Sequence, residues 1–279
     1  MAVDKLVDST QLDADLTSVA NAIRTKGGTS ASLAFPADFV IAIAALPTGG
    51  ADLDAYFKRT APTSAVLPTA TRLCGYAFFE SAVLQSINAP SVTRIGQRDF
   101  GSCTALTSVY FPELLYAADL TTADSAITKD SACRAFEYCS SLGTINFPKL
   151  TKCGSEMFWY AGNNAKTAII VLPSILYVST RMFRSAKLDV VDIGANCEKI
   201  WSDGFYNGSF NKVILRRSTV VEAASRDAVR YITTLYVPQA LVASYSTATN
   251  WVTDAASRTV LPIEGSIYEN AYADGTPIS

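Results

Sequence analysis

The sequence contains no histidine among its 279 residues. This absence excludes the Ser-His-Asp triad, the Cys-His pair, the HExxH zinc helix and every imidazole metal ligand. Carboxylates, lysine and tyrosine remain available for catalysis, but the missing residue type favours a binding or structural protein over an enzyme. We therefore predict no catalytic residue, no bound metal and no cofactor.

Charged residues are also scarce, at 17% of the chain, and 23 Lys+Arg against 25 Asp+Glu give a net charge of −2. The chain therefore has no excess of basic residues, with which nucleic-acid binders displace counterions from the phosphates. Acidic residues stand where a signal peptide needs a basic region, and the longest uncharged run, 231–253, is too polar to span a bilayer. We expect no nucleic-acid partner, no membrane insertion and synthesis in a cytoplasm.

Apolar residues, in contrast, make up 49% of the chain, and they recur at a fixed interval. Three copies follow the pattern Phe-x2-[Cys/Ser]-x2-Leu-x2-[Ile/Val]-x2-Pro, with leucines at Leu84, Leu106 and Leu142, and three more copies are degenerate. We call the first residue of each copy its anchor; the anchors are Phe78, Phe100, Phe136, Phe158, Phe183 and Phe205. They are 22, 36, 22, 25 and 22 residues apart, and the long interval contains an insertion at 118–131.

A period of about 22 residues with apolar residues at fixed offsets predicts a β-rich leucine-rich-repeat solenoid. One unit of this size cannot bury its own apolar face, so stacked units bury equivalent residues in ladders. The Leu-x2-[Ile/Val] segment predicts a short strand ended by proline, and the Phe-x2-Cys segment predicts a tight helical turn. We expect a small or apolar side chain at the position five residues before each anchor. In the third copy, Ser131 occupies this position. Cys103 and Cys139 share one repeat position, which favours a packing role.

Two stretches, 92–112 and 135–148, resemble BspA-type leucine-rich repeats. The ending 235–251 is similar to the closing segment common in that family, in which a last strand is followed by a helix and an Asn-Trp pair. The likeness covers residues 55–263. It implies a cell-surface adhesion or protein-interaction module without catalysis.

The N-terminal region has a different composition, in which apolar spacing predicts helices at 12–26 and 37–46. Residues 20–40 resemble a module of tail-fibre and other structural proteins from phages and prophages of Gram-positive hosts. This resemblance implies an attachment or oligomerisation element, a homo-oligomer (a trimer is one option) and a virion location. The bacterial cytoplasm and the cell surface are the alternative locations. We divide the chain into a helical module at 1–50, a solenoid with its C-terminal cap at 51–263, and a tail at 264–279.

Aromatic residues that break the repeat pattern are candidates for a ligand-binding surface, because Trp and Tyr are favoured at recognition sites, including sites that stack sugars. Coverage of the solenoid's ends or sides is the alternative role. The candidates are Trp159, Tyr160, Trp201, Tyr206 and Phe210.

The carboxylates are weaker candidates for a functional site than the aromatic residues. Asp189 and Asp192 are expected to be solvated acids at a strand edge. The acids of the insertion, Asp119, Asp124 and Asp130, fit no EF-hand spacing.

The sequence therefore predicts a non-enzymatic recognition protein, similar to a phage tail fibre, that binds a bacterial surface protein or glycan through its solenoid. Two alternatives stay open. One is a structural virion protein that contacts only other virion subunits, and the other is a bacterial BspA-like adhesion or interaction protein.

Overall fold

The computed structural model of the chain describes residues 63–271 except 74, 120 and 253–257. Along this part the strands are β1 (Ser64–Val66), β2 (Ser86–Asn88), β3 (Arg94–Ile95), β4 (Ser108–Tyr110), β5 (Tyr116–Ala117), β6 (Thr144–Asn146), β7 (Lys152–Cys153), β8 (Ile169–Leu172), β9 (Tyr177–Val178), β10 (Lys187–Ile193), β11 (Lys199–Ile200), β12 (Ser209–Leu215), β13 (Glu222–Ala223), β14 (Thr234–Val237) and β15 (Thr259–Pro262). The predicted helical module, 1–50, lies outside the described residues.

Each strand pairs in parallel with the strand one coil away. One row of strands forms the sheets β1-β2-β4 and β6-β8-β10-β12-β14-β15, and the other row forms β3-β5-β7 and β9-β11-β13. Within the first row, Ser64 is in register with Ser86, which is in register with Ser108, so the register advances by one repeat per strand. The chain is thus a β-rich leucine-rich-repeat solenoid of about 22 residues per coil, and this confirms the predicted fold class.

The interior is filled by ladders of equivalent residues. The three repeat leucines, Leu84, Leu106 and Leu142, are at most 1% exposed, and the six anchors are at most 5% exposed. Neighbouring anchor rings stack with centroids 5.1–5.5 Å apart and planes 2–18° apart. Burial of each ring contributes on the order of 2–3 kcal/mol, and each stacked pair adds about 0.5–1.5 kcal/mol.

The turn around each anchor is not helical, so the predicted helical turn is wrong. The residues two before and two after every anchor have a left-handed backbone: Tyr76, Glu80, Arg98, Ser102, Arg134, Tyr138, Glu156, Tyr160, Arg181, Ser185, Asp203 and Asn207, with φ between 53° and 65°. This geometry costs roughly 1–2 kcal/mol per residue. It directs backbone N–H groups at the next coil, as where Phe78 donates to Asp99 O (2.7 Å) and Phe100 to Ala135 O (2.9 Å). These hydrogen bonds, repeated at each coil, offset the cost.

The insertion follows β5 and is held against the solenoid. Because it comes after β5, Ala117 and not Ser131 is in register with Ile95 and Cys153, so the assignment of Ser131 to this position is wrong. The insertion contains a 3-10 helix, η1 (Asp124–Ala126). The buried guanidinium of Arg94 pairs with Asp124 and donates to the carbonyls of residues 119 (2.7 Å) and 122 (2.6 Å).

A cap closes the C-terminal end of the solenoid. After β14 come a 3-10 helix, η2 (Gln239–Leu241), and a short helix, α1 (Val242–Tyr245). The indole of Trp251 donates to Val221 O (2.7 Å), and the amide of Asn250 donates to Ala223 O (2.7 Å). The helix and Asn-Trp pair implied by the resemblance are therefore present, and β15 adds a further strand beside β14.

Residues 264–271, the described part of the predicted tail, pack on the outer face of the larger sheet. Tyr268 and Ala271 are buried there in a cluster with Val171, Val190 and Ile214. The segment therefore shields apolar side chains of β8, β10 and β12 and does not extend away from the solenoid.

Candidate functional site

The structure separates the five aromatic candidates. Trp159, Tyr160 and Tyr206 lie one or two residues after an anchor, on the side of the solenoid formed by the turns. Trp201 follows β11, where its half-buried ring contacts Lys129 (4.7 Å from Nζ to the ring centroid) and Lys199 (4.2 Å).

Phe210 does not lie on the surface. It is 4% exposed, and its ring packs edge-on against Phe205 with centroids 5.3 Å apart. Its inclusion in a binding surface was wrong, because its position in β12 directs the side chain inward.

Tyr138 is an exposed aromatic residue that was not among the sequence candidates but lies beside two of them. Its ring stacks on that of Tyr160, with centroids 5.0 Å apart and planes 8° apart, and Trp159 contacts both rings at 5.6 and 5.3 Å. Tyr138 is 42% exposed and Tyr160 is 44% exposed. We call these three residues the aromatic platform. A signal for Tyr138 was present, since it lies 22 residues before Tyr160 at the same offset from its anchor.

The backbone holds the platform in place. Tyr138 and Tyr160 both have φ of 55°, so their side chains leave equivalent coils in the same direction. The N–H of Tyr138 donates to Trp159 O (2.9 Å), and that of Tyr160 donates to Arg184 O (3.0 Å). A surface built on hydrogen-bonded coils loses little conformational entropy when it binds a ligand.

A chain of alternating charges runs beside the platform. The guanidinium of Arg134 lies 5.0 Å from the Trp159 ring and pairs with Glu137 and Glu156. Arg98 pairs with Glu137 at 2.7 Å, and Arg181 pairs with Glu156 at 3.4 Å. Burial raises the pKa of Glu137, while Arg98 and Arg134 act in the opposite direction. The pairs therefore link four successive coils beneath the rings, with the two glutamates buried and the three guanidiniums partly exposed.

Tyr206 belongs to a separate aromatic pair. Its ring contacts Tyr231 edge-on with centroids 5.3 Å apart, and the guanidinium of Arg184 lies 5.3 Å from its centroid. Trp159 and Tyr160 therefore form one cluster with Tyr138. Tyr206 and Trp201 lie outside this cluster and contact other side chains.

The carboxylates of Asp189 and Asp192 contact basic or amide side chains. Asp189 contacts Lys212 (3.5 Å) and Asn211 (2.9 Å). Asp192 is 2% exposed and pairs with Arg216, so the expectation of a solvated acid was wrong at this position. Within the ranges that the structure describes, no group of three His, Cys, Asp or Glu residues could hold a metal ion.

The five described cysteines are buried free thiols: Cys103, Cys133, Cys139, Cys153 and Cys197. The thiol of Cys103 donates to Phe78 O (2.9 Å), and that of Cys139 donates to Phe100 O (3.0 Å), in equivalent coils. Burial raises the pKa of Cys103 to about 12. This thiol therefore stays protonated and acts as a packing residue.

Among the described residues, no helix has the length and apolar character needed to cross a bilayer.

Solved structures similar to this chain include a vaccine antigen and leucine-rich-repeat proteins. The pneumococcal vaccine antigen PcpA is 13% identical, with a TM-score of 0.45, over 73% of this chain and 42% of that chain. A leucine-rich-repeat protein from T. pallidum is 21% identical, with a TM-score of 0.42, over 55% and 74%. One from Bacteroides ovatus is 14% identical, with a TM-score of 0.31, over 72% and 71%. No curated protein matches the chain.

The family comparison agrees with the repeat that organises the fold. Six copies of the BspA type leucine rich repeat region match residues 54–122 and 127–225, together more than half of the chain. The chain belongs to the family of BspA-type leucine-rich-repeat proteins.

Proposed function

We propose that this chain is a non-enzymatic recognition protein whose solenoid binds a protein or glycan on a bacterial surface. The observation that carries the proposal is the aromatic platform, in which Tyr138 and Tyr160 are stacked and yet more than 40% exposed. Aromatic rings held rigidly at a surface are typical centres of binding energy, because they offer a large contact area at a low entropic cost. Membership of a repeat family that builds extended binding surfaces supports the same function.

The setting that we propose is a phage or prophage tail fibre, in which the chain is part of the virion and forms a homo-oligomer. This part of the proposal is supported by the resemblance of residues 20–40 to phage structural modules. Light scattering on the full chain measures its mass in solution. A trimer or another closed oligomer supports the setting, and a monomer contradicts it.

The recognition function is tested with fluorescently labelled full-length protein and intact Gram-positive cells. We expect the wild type to be retained on cells of a susceptible strain. Replacing both Tyr138 and Tyr160 by Ala should weaken retention by about tenfold or more, since loss of two ring contacts costs at least ~1.4 kcal/mol.

The matched control is Tyr110→Ala, which removes a tyrosine of similar exposure (55%) from β4, away from the platform. Retention of this variant should equal that of the wild type. Equal retention of the double variant contradicts the proposal. Wild type that binds purified virion parts but no cells favours a structural virion protein instead.

A further inference from the structure

We propose that a neutral pyranoside binds beside the aromatic platform, stacked on the free face of the Tyr138 ring above Ser102. This inference rests on the proposed recognition function and names the class of ligand. We call the space bounded by Tyr138, Ser102 and Glu80 the Ser102 gap.

The gap arises from a column of equivalent side chains. The position two residues after each anchor is occupied in successive coils by Glu80, Ser102, Tyr138, Tyr160, Ser185 and Asn207, with φ between 53° and 60°. These residues share one backbone conformation, so their side chains leave the solenoid in the same direction. The two rings fill adjacent places in the column at a spacing of 5.0 Å. Ser102 carries only a small hydroxymethyl side chain at the position where the next two coils carry a ring.

The two ends of the tyrosine stack differ. Within the described part of the chain, the ring partners of Tyr138 are Trp159 and Tyr160, both from the following coil. The opposite face of Tyr138 therefore borders Ser102, which is half-buried. At the other end, Tyr160 borders Ser185, whose hydroxyl accepts a hydrogen bond from Asn207 at 3.2 Å. Ser185 is only 7% exposed, so that end is closed and the Ser102 end is open.

The groups around the gap suit a sugar ring. A pyranose has an apolar face of C–H groups and a rim of hydroxyls, so it needs an aromatic face with hydrogen-bonding groups at its edge. Tyr138 supplies the face, and the hydroxyl of Ser102 donates and accepts at its edge. An apolar surface with a few placed polar groups is the usual composition of a small-ligand site.

The neighbouring cation favours a neutral sugar over a nucleotide. Arg98 is the guanidinium in the coil that carries Ser102; it pairs with Glu137 at 2.7 Å and lies 5.6 Å from the Phe79 ring centroid. A phosphate would have to compete with Glu137 for this group. An uncharged glycoside can stack on Tyr138 while both contacts of Arg98 remain in place.

Saturation-transfer NMR on the full chain tests this site, with methyl glycosides of glucose, galactose and N-acetylglucosamine as probes. We expect transfer to ring C–H protons of at least one glycoside in the wild type. Ser102→Tyr should abolish that transfer, because a third ring would fill the gap, and Tyr138→Ala should weaken binding about tenfold. The backbone tolerates Tyr at this φ, as positions 138 and 160 show.

Asn207→Tyr is the matched control, since it places the same ring at an exposed position of the column, two coils beyond Tyr160, and should leave transfer unchanged. Unchanged thermal midpoints for the three variants exclude loss of folding as the cause. The proposal is overturned if the wild type binds none of the glycosides, if Ser102→Tyr binds as the wild type does, or if adenosine binds there in place of the sugars.

The cell-retention assay distinguishes this proposal from the function on which it rests. If Ser102→Tyr is retained on cells as well as the wild type and no glycoside binds, the sugar site is wrong and recognition uses another ligand. If the wild type binds a glycoside through the gap but is retained on no cells, the sugar site stands and the proposed function is wrong.

Discussion

The carboxylate of Asp192 accepts two hydrogen bonds from the guanidinium of Arg216, with Oδ1 2.9 Å from Nε and Oδ2 2.7 Å from Nη2. The same guanidinium donates to the backbone carbonyls of Tyr268 (3.0 Å) and Ala271 (2.8 Å). One side chain thus joins β10, β12 and the C-terminal segment. Burial raises the pKa of Asp192, and the hydrogen bonds and charge of Arg216 act in the opposite direction.

Removing this guanidinium should strongly destabilise the protein. Arg216→Met leaves the buried carboxylate of Asp192 unpaired and frees residues 264–271 from β12, so we expect a loss of about 3–5 kcal/mol. The double variant Asp192→Leu, Arg216→Met should recover part of that loss because no buried charge remains. Denaturation midpoints in urea provide the measurement. A double variant no more stable than Arg216→Met would show that the unpaired charge is not the cause.

A second prediction concerns the buried carboxyl group of Asp99. Burial raises its pKa to about 7, although N–H groups of Gly96 (2.6 Å) and Ala77 (3.1 Å) donate to it and act in the opposite direction. Because the folded pKa lies above the ordinary value of 3.8, the folded state favours the protonated form. Asp99 therefore makes the protein most stable below pH 4, and this contribution is lost as the pH rises from 4 to 7.

Asp99→Asn should flatten this part of the stability profile. The amide stays neutral at every pH, and its oxygen can still accept a hydrogen bond from Gly96. Urea midpoints measured between pH 4 and pH 8 should fall for the wild type and change much less for the variant. If the two proteins show the same slope, Asp99 does not titrate in this range.

The third prediction concerns the ladder of anchors. Phe136 is fully buried between Phe100 (5.1 Å between centroids) and Phe158 (5.5 Å). Phe136→Ala should cost about 3–5 kcal/mol, because it removes the ring and leaves a cavity between its two neighbours. The exposed Tyr110→Ala should change stability by less than about 0.5 kcal/mol. Calorimetric midpoints compare the two, and equal shifts would contradict the ladder as a source of stability.

Much of the fold could be predicted because a solenoid repeats its contacts along the sequence. Phe100 and Phe158 each recur 22 residues from another anchor, so the period alone predicted which rings would be buried together. The strands that end before each proline follow from the same period. The left-handed turns could not be predicted in this way, because residues such as Arg134 and Tyr138 have no intrinsic preference for that conformation; hydrogen bonds to the next coil impose it.

The candidate site was only partly predictable for a related reason. The sequence by itself determined the repeat, its anchors and the presence of Trp159 and Tyr160 where the pattern is broken. The period also relates Tyr138 to Tyr160, whereas tertiary structure alone decided that Phe210 turns inward and that Asp192 is buried. These outcomes depend on which side chains occupy neighbouring coils, and some depend on contacts with no period, such as that of Arg216 with Tyr268, 52 residues away. A periodic sequence pattern identifies only residues at equivalent positions of successive coils. Contacts between non-equivalent positions can therefore be recognised only in the folded structure.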